Sequence, residues 1–227
     1  MIDLKGVTLT LNSQAGPVNI LKGIDLDIAT GETVSLVGPS GSGKTSLLMI
    51  VAGLERATSG SVSVADMSYN GRSEDDLARL RRRSIGVVFQ DFHLVATMTA
   101  QENVAIPLEL AGAPNAWRAA AEALDSVGLG HRLTHYPGQL SGGEQQRTAL
   151  ARAVVAKPSI LLADEPTGNL DGKTGQQIVE LLFQLRGDSN STLLLITHDP
   201  GLAKRCDRQI GLADGRIVTD SATQVAA

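Results

Sequence analysis

The sequence predicts an α/β protein built on a parallel sheet, and three observations predict it. Short apolar, β-branched runs at Thr33–Val37, Ile85–Phe89, Ser159–Ala163 and Thr192–Thr197 read as buried strands. The first runs straight into a glycine-rich loop, Gly38-Pro39-Ser40-Gly41-Ser42-Gly43-Lys44-Thr45, and then into an apolar helix, Ser46 to Ala52, that stops at Gly53. Between the second and third runs lies a stretch, 91–157, that reads as almost wholly helical, a lobe inserted in the α/β core.

The elements follow in order. Residues 2–28 read as β, with clean alternation at Ile24-Asp25-Leu26-Asp27-Ile28, a turn at Gly16-Pro17 and a second at Thr30-Gly31-Glu32. Ser61-Val62-Ser63-Val64 alternates again after the first helix. Residues 74–83 read as a helix whose Arg79, Arg81, Arg82 and Arg83 form a solvated face. Within the helical stretch, Thr99-Ala100-Gln101-Glu102 is a capping box, and a kink is expected at Pro107. A second helix spans Pro114 to Val127 and stops at Gly128. Ser141-Gly142-Gly143-Glu144 is another capping box, opening a helix that runs to Lys157-Pro158. A helix over about 173–185 follows the third strand, and Asp214-Gly215 marks a hairpin between Gln209–Leu212 and Arg216–Val218.

Composition bounds the function. At 42% hydrophobic and 19% charged, the 227 residues can bury a core as one domain, with the α/β part at 1–90 and 158–227. Aromatics are only 3%, so the core rests on Leu, Ile, Val and Ala. A net charge of −4 argues against a broad nucleic-acid surface. The single cysteine, Cys206, excludes an internal disulfide and a Cys-rich zinc site and suits a reducing cytoplasm. Met1-Ile2-Asp3-Leu4-Lys5 has no leader pattern, and no window approaches the roughly 18 apolar residues of a membrane span. Work at a membrane would need another chain to hold this one there.

The glycine loop fits the phosphate-loop (Walker A) pattern in its required context of strand, loop and helix. Glycines let successive N–H groups curl around a phosphate without Cβ clashes, and the helix N-terminus adds unpaired N–H groups and a partial positive charge. Gly38 to Thr45, with Ser46 behind them, form the nucleotide cradle. Lys44 reaches the β- and γ-phosphates, and the Thr45 hydroxyl is a Mg²⁺ ligand. In open parallel sheets ligands sit beyond the C-terminal strand ends. Here those ends carry the loop, Gln90, Asp164-Glu165 and His198, which are expected to converge on one phosphate site. Asp164 fits a direct or water-mediated Mg²⁺ ligand. Glu165 fits a general base, Gln90 a Mg²⁺ or water ligand, and His198 a hydrogen-bond donor to the γ-phosphate. Leu140-Ser141-Gly142-Gly143-Glu144-Gln145-Gln146-Arg147 is a second helix N-terminus, with two glycines and a hydroxyl, and so a second anion site. A head-to-tail dimer would use both, each ATP lying between Lys44 of one protomer and Ser141 of the other.

With these motifs in this order, the chain resembles the ATP-binding cassette (ABC) ATPases over nearly its whole length. Asp164-Glu165-Pro166-Thr167-Gly168-Asn169-Leu170-Asp171, read with Leu140–Arg147, is most similar to the MacB/LolD/FtsE branch. The resemblance implies an ABC cassette: a P-loop NTPase core, a small antiparallel β lobe and a helical lobe. It implies ATP and Mg²⁺ as cofactors, Leu170-Asp171 in a D-loop at the dimer seam, and a second ATPase subunit, as a homodimer. It also implies a separate integral membrane subunit docking on Phe92 to Asn103, with the ATPase peripheral on the cytoplasmic face of the inner membrane. The implied work is export, lipoprotein release or mechanotransmission; the alternative is an FtsE-like cell-division regulator. One departure stands out. The family places an aromatic near residue 11 to stack on adenine, whereas this chain has Leu11 and no aromatic in residues 1–30; the competing reading is an aromatic supplied from elsewhere, such as Tyr69, or by a partner chain. Weak discrimination between adenine and guanine follows as an expectation.

Overall fold

The structure is a computed structural model that describes residues 1–13 and 16–224. In chain order the strands and helices are β1 (Ile2–Ser13), β2 (Gly16–Ile28), β3 (Thr33–Val37), α1 (Lys44–Val51), β4 (Ser59–Val64), β5 (Met67–Ser68), α2 (Glu74–Ser84) and β6 (Ile85–Val88). Then come α3 (Ala100–Leu110), α4 (Ala116–Ser126), α5 (Gly142–Val154), β7 (Ile160–Asp164), α6 (Gly172–Ser189), β8 (Thr192–Ile196), α7 (Pro200–Ala203), β9 (Arg208–Ala213), β10 (Arg216–Asp220) and α8 (Ser221–Gln224). The described chain divides into two compact units: Met1–Arg81 with the chain from Thr192 onward, and Arg82–Ser191.

The first unit holds an antiparallel sheet in the order β2-β1-β4-β5 and a parallel group in which β3 lies between β8 and β9. In β1 and β2 the pleat turns one face inward, burying Ile2, Leu4, Leu9, Leu21, Ile24, Leu26 and Ile28. β3 is buried along its length because it is flanked on both edges, with Leu36 opposite Ile196 and also opposite Ile210. The expected hairpin is present: β9 and β10 pair antiparallel around Asp214-Gly215, with Arg216 opposite Ala213. Gly16 and Pro17, expected as a turn, instead pair in β2 opposite Ser13 and Asn12; residues 14 and 15 lie outside the described residues.

In the second unit β6 pairs parallel with β7, and α3, α4 and α5 pack around Val104, Ala105, Ala120, Leu124, Leu129 and Leu140. The stretch 91–157 is less helical than its composition suggests. Residues 91–99 form no helix, and 127–141 contain only one-turn 3₁₀ segments at Gly130–Arg132 and Pro137–Gln139. Side chains account for this. Asn103, fully buried, accepts from Val95 N at 2.7 Å and donates to the carbonyls of Val95, Met98 and Thr99 at 3.0–3.1 Å. Those bonds satisfy loop groups that a helix would have paired internally. Arg152 does the same for Phe92 and His93, whose φ values of 59° and 47° are left-handed, donating to both carbonyls at 2.8 and 2.6 Å. α3 continues through Pro107 as one helix.

Candidate functional site

In the first unit the phosphate loop leaves the C-terminal end of β3. α1 begins at Lys44, two residues before the expected Ser46, because its N-cap is Gly43 at φ 102°, a conformation that a side chain would resist. No side chain caps this helix, so its first N–H groups face the loop. The loop is shaped by two close approaches. A Cβ on Gly38 would collide with the main-chain oxygen of Leu212, and a Cβ on Gly43 would lie 2.8 Å from Leu21 Cδ2. The Asp214-Gly215 turn braces the loop, with Gly215 N donating to Ser42 O at 3.1 Å and Lys22 N to Gly215 O at 2.9 Å. Lys44 folds back to donate to the carbonyls of Gly38 and Pro39 at 2.8 and 2.9 Å. Ser42 Oγ is buried and meets no hydrogen-bond partner among the described residues. A bare helix N-terminus, an orphaned hydroxyl and a cation held only by carbonyls fit a polyphosphate. His198 lies exposed two residues beyond β8, and Thr197 N donates to Leu36 O at 3.4 Å, so it emerges at the same strand end as the loop.

Leu11 is 41% exposed and pairs across the β1–β2 ladder with Val18, 45% exposed. Tyr69 cannot replace the missing aromatic. It is buried, its hydroxyl donates to Val51 O at 2.7 Å, and burial raises its pKa.

In the second unit Val88 of β6 lies opposite Ala163 of β7, so Gln90 and the Asp164-Glu165 pair leave the same strand end. Glu165 is left-handed, φ 45°, a strained conformation for a residue with a Cβ, and Gly168 N donates to its carbonyl at 3.0 Å. Gln90 Nε2 donates to Asn169 Oδ1 at 3.1 Å, and Asn169 Nδ2 donates back to Gln90 O at 3.1 Å and to Asp91 Oδ1 at 2.8 Å. This commits the Gln90 amide nitrogen to Asn169, so its side-chain oxygen is the atom that could take a ligand.

Ser141 caps α5 as the capping box requires: Glu144 N donates to Ser141 Oγ at 3.3 Å, and Ser141 N donates to Glu144 Oε2 at 2.8 Å. The Ser141 N–H, with Arg132 adding to it, holds the Glu144 carboxyl below the usual range. In front of this N-terminus lies a cavity of about 320 Å³ lined by Ser141, Gly142, Gly143, Arg147, Asn169 and Leu170 among others. The glycines keep it open, since a Cβ on Gly143 would come 2.6 Å from Thr174 Cγ2. Asp171 caps α6 by accepting from Lys173 N and Thr174 N at 3.1 and 3.0 Å.

Several working residues had no motif to announce them. Asn169 was legible only as part of a motif, not as the clasp on Gln90. Gln146, fully buried, donates to Pro166 O at 2.6 Å and so fastens α5 to the chain just after Glu165. A glutamine or asparagine on an otherwise apolar helix face, as at 146 and 103, was the available signal.

Comparisons with known proteins agree. The ABC transporter family profile matches residues 21–168. The chain is 50% identical over 202 residues to the uncharacterized ABC transporter ATP-binding protein YbbA of Escherichia coli K12, spanning 88% of this chain and 89% of that protein. YbbA is also the member that Ala203–Arg208 most resemble. This chain is 47% identical to the lipoprotein-releasing system ATP-binding protein LolD of Geobacter metallireducens, over 97% of this chain and 99% of that protein. Among solved structures, the dimeric post-hydrolysis state of the ATP-binding cassette MJ0796 bound to ADP and Pi superposes with a TM-score of 0.90 and 41% identity, covering 97% of both chains.

Proposed function

This chain belongs to the ABC transporter family as an ATP-hydrolysing, ATP-binding subunit of the LolD/YbbA type, and from that premise we propose that it works as a head-to-tail dimer driving a separate membrane subunit. One observation carries the proposal: the chain has two helix N-termini shaped for anions, α1 behind the phosphate loop and α5 behind Ser141. A single nucleotide needs one phosphate loop. A second N-terminus, opening on a cavity rimmed by Asn169 and Leu170, suits the nucleotide of a second copy. The similar cassette MJ0796 is dimeric in its solved structures, which supports a dimer here.

In this reading Gly38 to Ser46 hold the phosphates of ATP, with Lys44 exchanging its loop carbonyls for β- and γ-oxygens. Thr45, Gln90 and Asp164 supply hydroxyl, amide and carboxylate oxygens, the hard donors that Mg²⁺ takes together with phosphates and water. When bound, Mg²⁺ neutralises charge on the phosphates. Glu165 takes the proton of the attacking water, and His198 donates to the γ-phosphate. The Ser141 hydroxyl and the Gly142 and Gly143 N–H groups face the partner's ATP, and Glu144 holds Ser141 in place through its N–H.

The membrane partner docks on Phe92 to Asn103, where Val95 and Met98 are exposed on a loop held by Asn103. Among the described residues no helix is long and apolar enough to cross a membrane; in this reading the chain attaches peripherally, through that partner. The FtsE-like regulator is not favoured, since the similar proteins carry YbbA and LolD names.

The test is sizing chromatography of Glu165→Gln with saturating Mg-ATP. Binding without cleavage should trap a dimer, and a strictly monomeric variant would overturn the reading. Mixing Lys44→Ala with Ser141→Arg, each nearly inactive alone, should restore ATPase activity by forming one intact site per heterodimer.

A further inference from the structure

A continuous run of hydrogen bonds in the second unit joins the start of α3 to Ser141. The first two N–H groups of α3, which no helix can satisfy internally, donate to the segment just before the signature helix: Ala100 N to His135 O at 2.8 Å and Gln101 N to Leu133 O at 3.0 Å. The segment then turns back on itself, His135 N donating to Arg132 O at 3.0 Å. Arg132 bridges onward. Its Nη1 lies 3.0 Å from His135 Nε2, and its Nε donates to Glu144 Oε1 at 3.0 Å. Glu144 Oε2 accepts from Ser141 N at 2.8 Å.

The chemistry of the link is specific. A guanidinium is all donor, so His135 Nε2 accepts and the ring proton sits on Nδ1. That Nδ1 is buried and meets no hydrogen-bond partner among the described residues, so the ring orientation sacrifices one donor to keep the bond to Arg132. The Glu144 carboxylate is only 15% exposed, which makes its bonds to Arg132 and Ser141 N stronger than on an open surface. Its two oxygens divide between Arg132 and Ser141, so moving the guanidinium moves the carboxylate that sets the Ser141 N–H.

We propose that Arg132, oriented by His135, is a positioning residue that ties the partner-docking segment at the start of α3 to Ser141, so that closure of the second anion site on ATP and the set of the docking segment are coupled. The inference rests on the dimer reading above. It assigns no contact between Arg132 and nucleotide; Arg132 acts through Glu144.

The test uses the full-length chain carrying Glu165→Gln, titrated with Mg-ATP. Sizing chromatography gives the ATP concentration for half-dimerisation, and amide hydrogen exchange follows the peptide spanning 97–106. In the parent, dimerisation should add protection to that peptide. Arg132→Ala should raise the half-dimerisation concentration about tenfold or more and remove the added protection. Arg132→Lys should fall between, because an ammonium keeps the charge but not the fork that reaches Glu144 and His135 together. His135→Leu should weaken and His135→Gln largely retain the effect, since glutamine restores an acceptor. If Arg132→Ala does not fold, by its melting curve, Arg132→Lys and His135→Leu carry the test. A folded Arg132→Ala that dimerises at the parent ATP concentration with full protection overturns the inference. So does a raised ATP requirement with protection of 97–106 intact, which would confine Arg132 to bracing Ser141. Failure of the Glu165→Gln parent to dimerise is seen before any Arg132 substitution, and it would bring down the dimer reading and this inference together.

Discussion

Gln90 and Asn169 hold each other reciprocally: the Gln90 amide donates to Asn169 Oδ1, and the Asn169 amide donates to the Gln90 main-chain oxygen, both at 3.1 Å. One end of the pair follows β6 and the other lies four residues past Glu165, so the clasp fixes the Gln90 side chain relative to the proposed base. Asn169→Ala should therefore lower kcat about tenfold, with a small effect on nucleotide binding, because the loss of a hydrogen bond or two costs about 1–2 kcal/mol. Steady-state ATPase kinetics against equilibrium binding of a fluorescent ATP analogue checks this. A KM effect with unchanged kcat would place Asn169 in binding instead.

The base should be read weakly. Leu11 and Val18 offer a flat aliphatic pair where a ring would stack, and Tyr69 is buried and occupied. Stacking on an aromatic is worth roughly 1–3 kcal/mol, of which aliphatic contact keeps a part. GTP should be hydrolysed at a rate similar to ATP, and Leu11→Tyr should tighten ATP by about tenfold at most. Kinetics with both nucleotides decides. Strong ATP preference unchanged by Leu11→Tyr would mean that adenine is held elsewhere.

Asn103 should be a stability residue that also serves docking. Asn103→Ala leaves Val95 N and Met98 O without the side chain that pairs them, and should cost about 2 kcal/mol, a fall of about 4–8 °C in Tm for a chain this long. Hydrogen exchange should rise over 95–99, and membrane association with the co-expressed partner should drop while ATP binding persists. Thermal melting and membrane sedimentation report the two effects.

Acid should weaken the fold through Asp220. Arg208 donates to it at 2.8 and 2.5 Å, and this hydrogen bonding, with the Ala222 N–H, holds its carboxyl below the usual range. A depressed carboxyl binds fewer protons folded than unfolded, so stability rises with pH across its titration. The contribution is complete above the unfolded value of about 4 and is lost as pH falls through the lower folded value. Glu144 and Asp171 shift the same way, each through main-chain N–H groups first. Urea midpoints measured from about pH 7 to 3 should fall below about pH 4. Asp220→Asn should lower the midpoint at neutral pH and converge with wild type in acid.

What the sequence determined alone was local and repetitive. Thr33–Val37, Ile160–Asp164 and Thr192–Ile196 are apolar runs whose burial on both faces writes itself into composition. Thr99–Glu102 and Ser141–Glu144 are four-residue boxes whose bonds close within one turn, and both form as written. Asp214-Gly215 makes its hairpin for the same reason, since the turn needs no distant partner. The tertiary structure decided whatever depends on bonds across long separations. Asn103 and Arg152 hold 91–99 out of helix by satisfying its carbonyls from other elements, against a local composition that favours helix. Gln90 and Asn169 are 79 residues apart, and neither side chain's chemistry names the other. Arg132 meets Glu144 because a 3₁₀ turn and a helix N-terminus face each other, a fact of packing that no spacing encodes. A polar side chain can pair with any donor or acceptor brought near it, so its partner is chosen by the fold, whereas a strand or a cap carries its own reason in its neighbours.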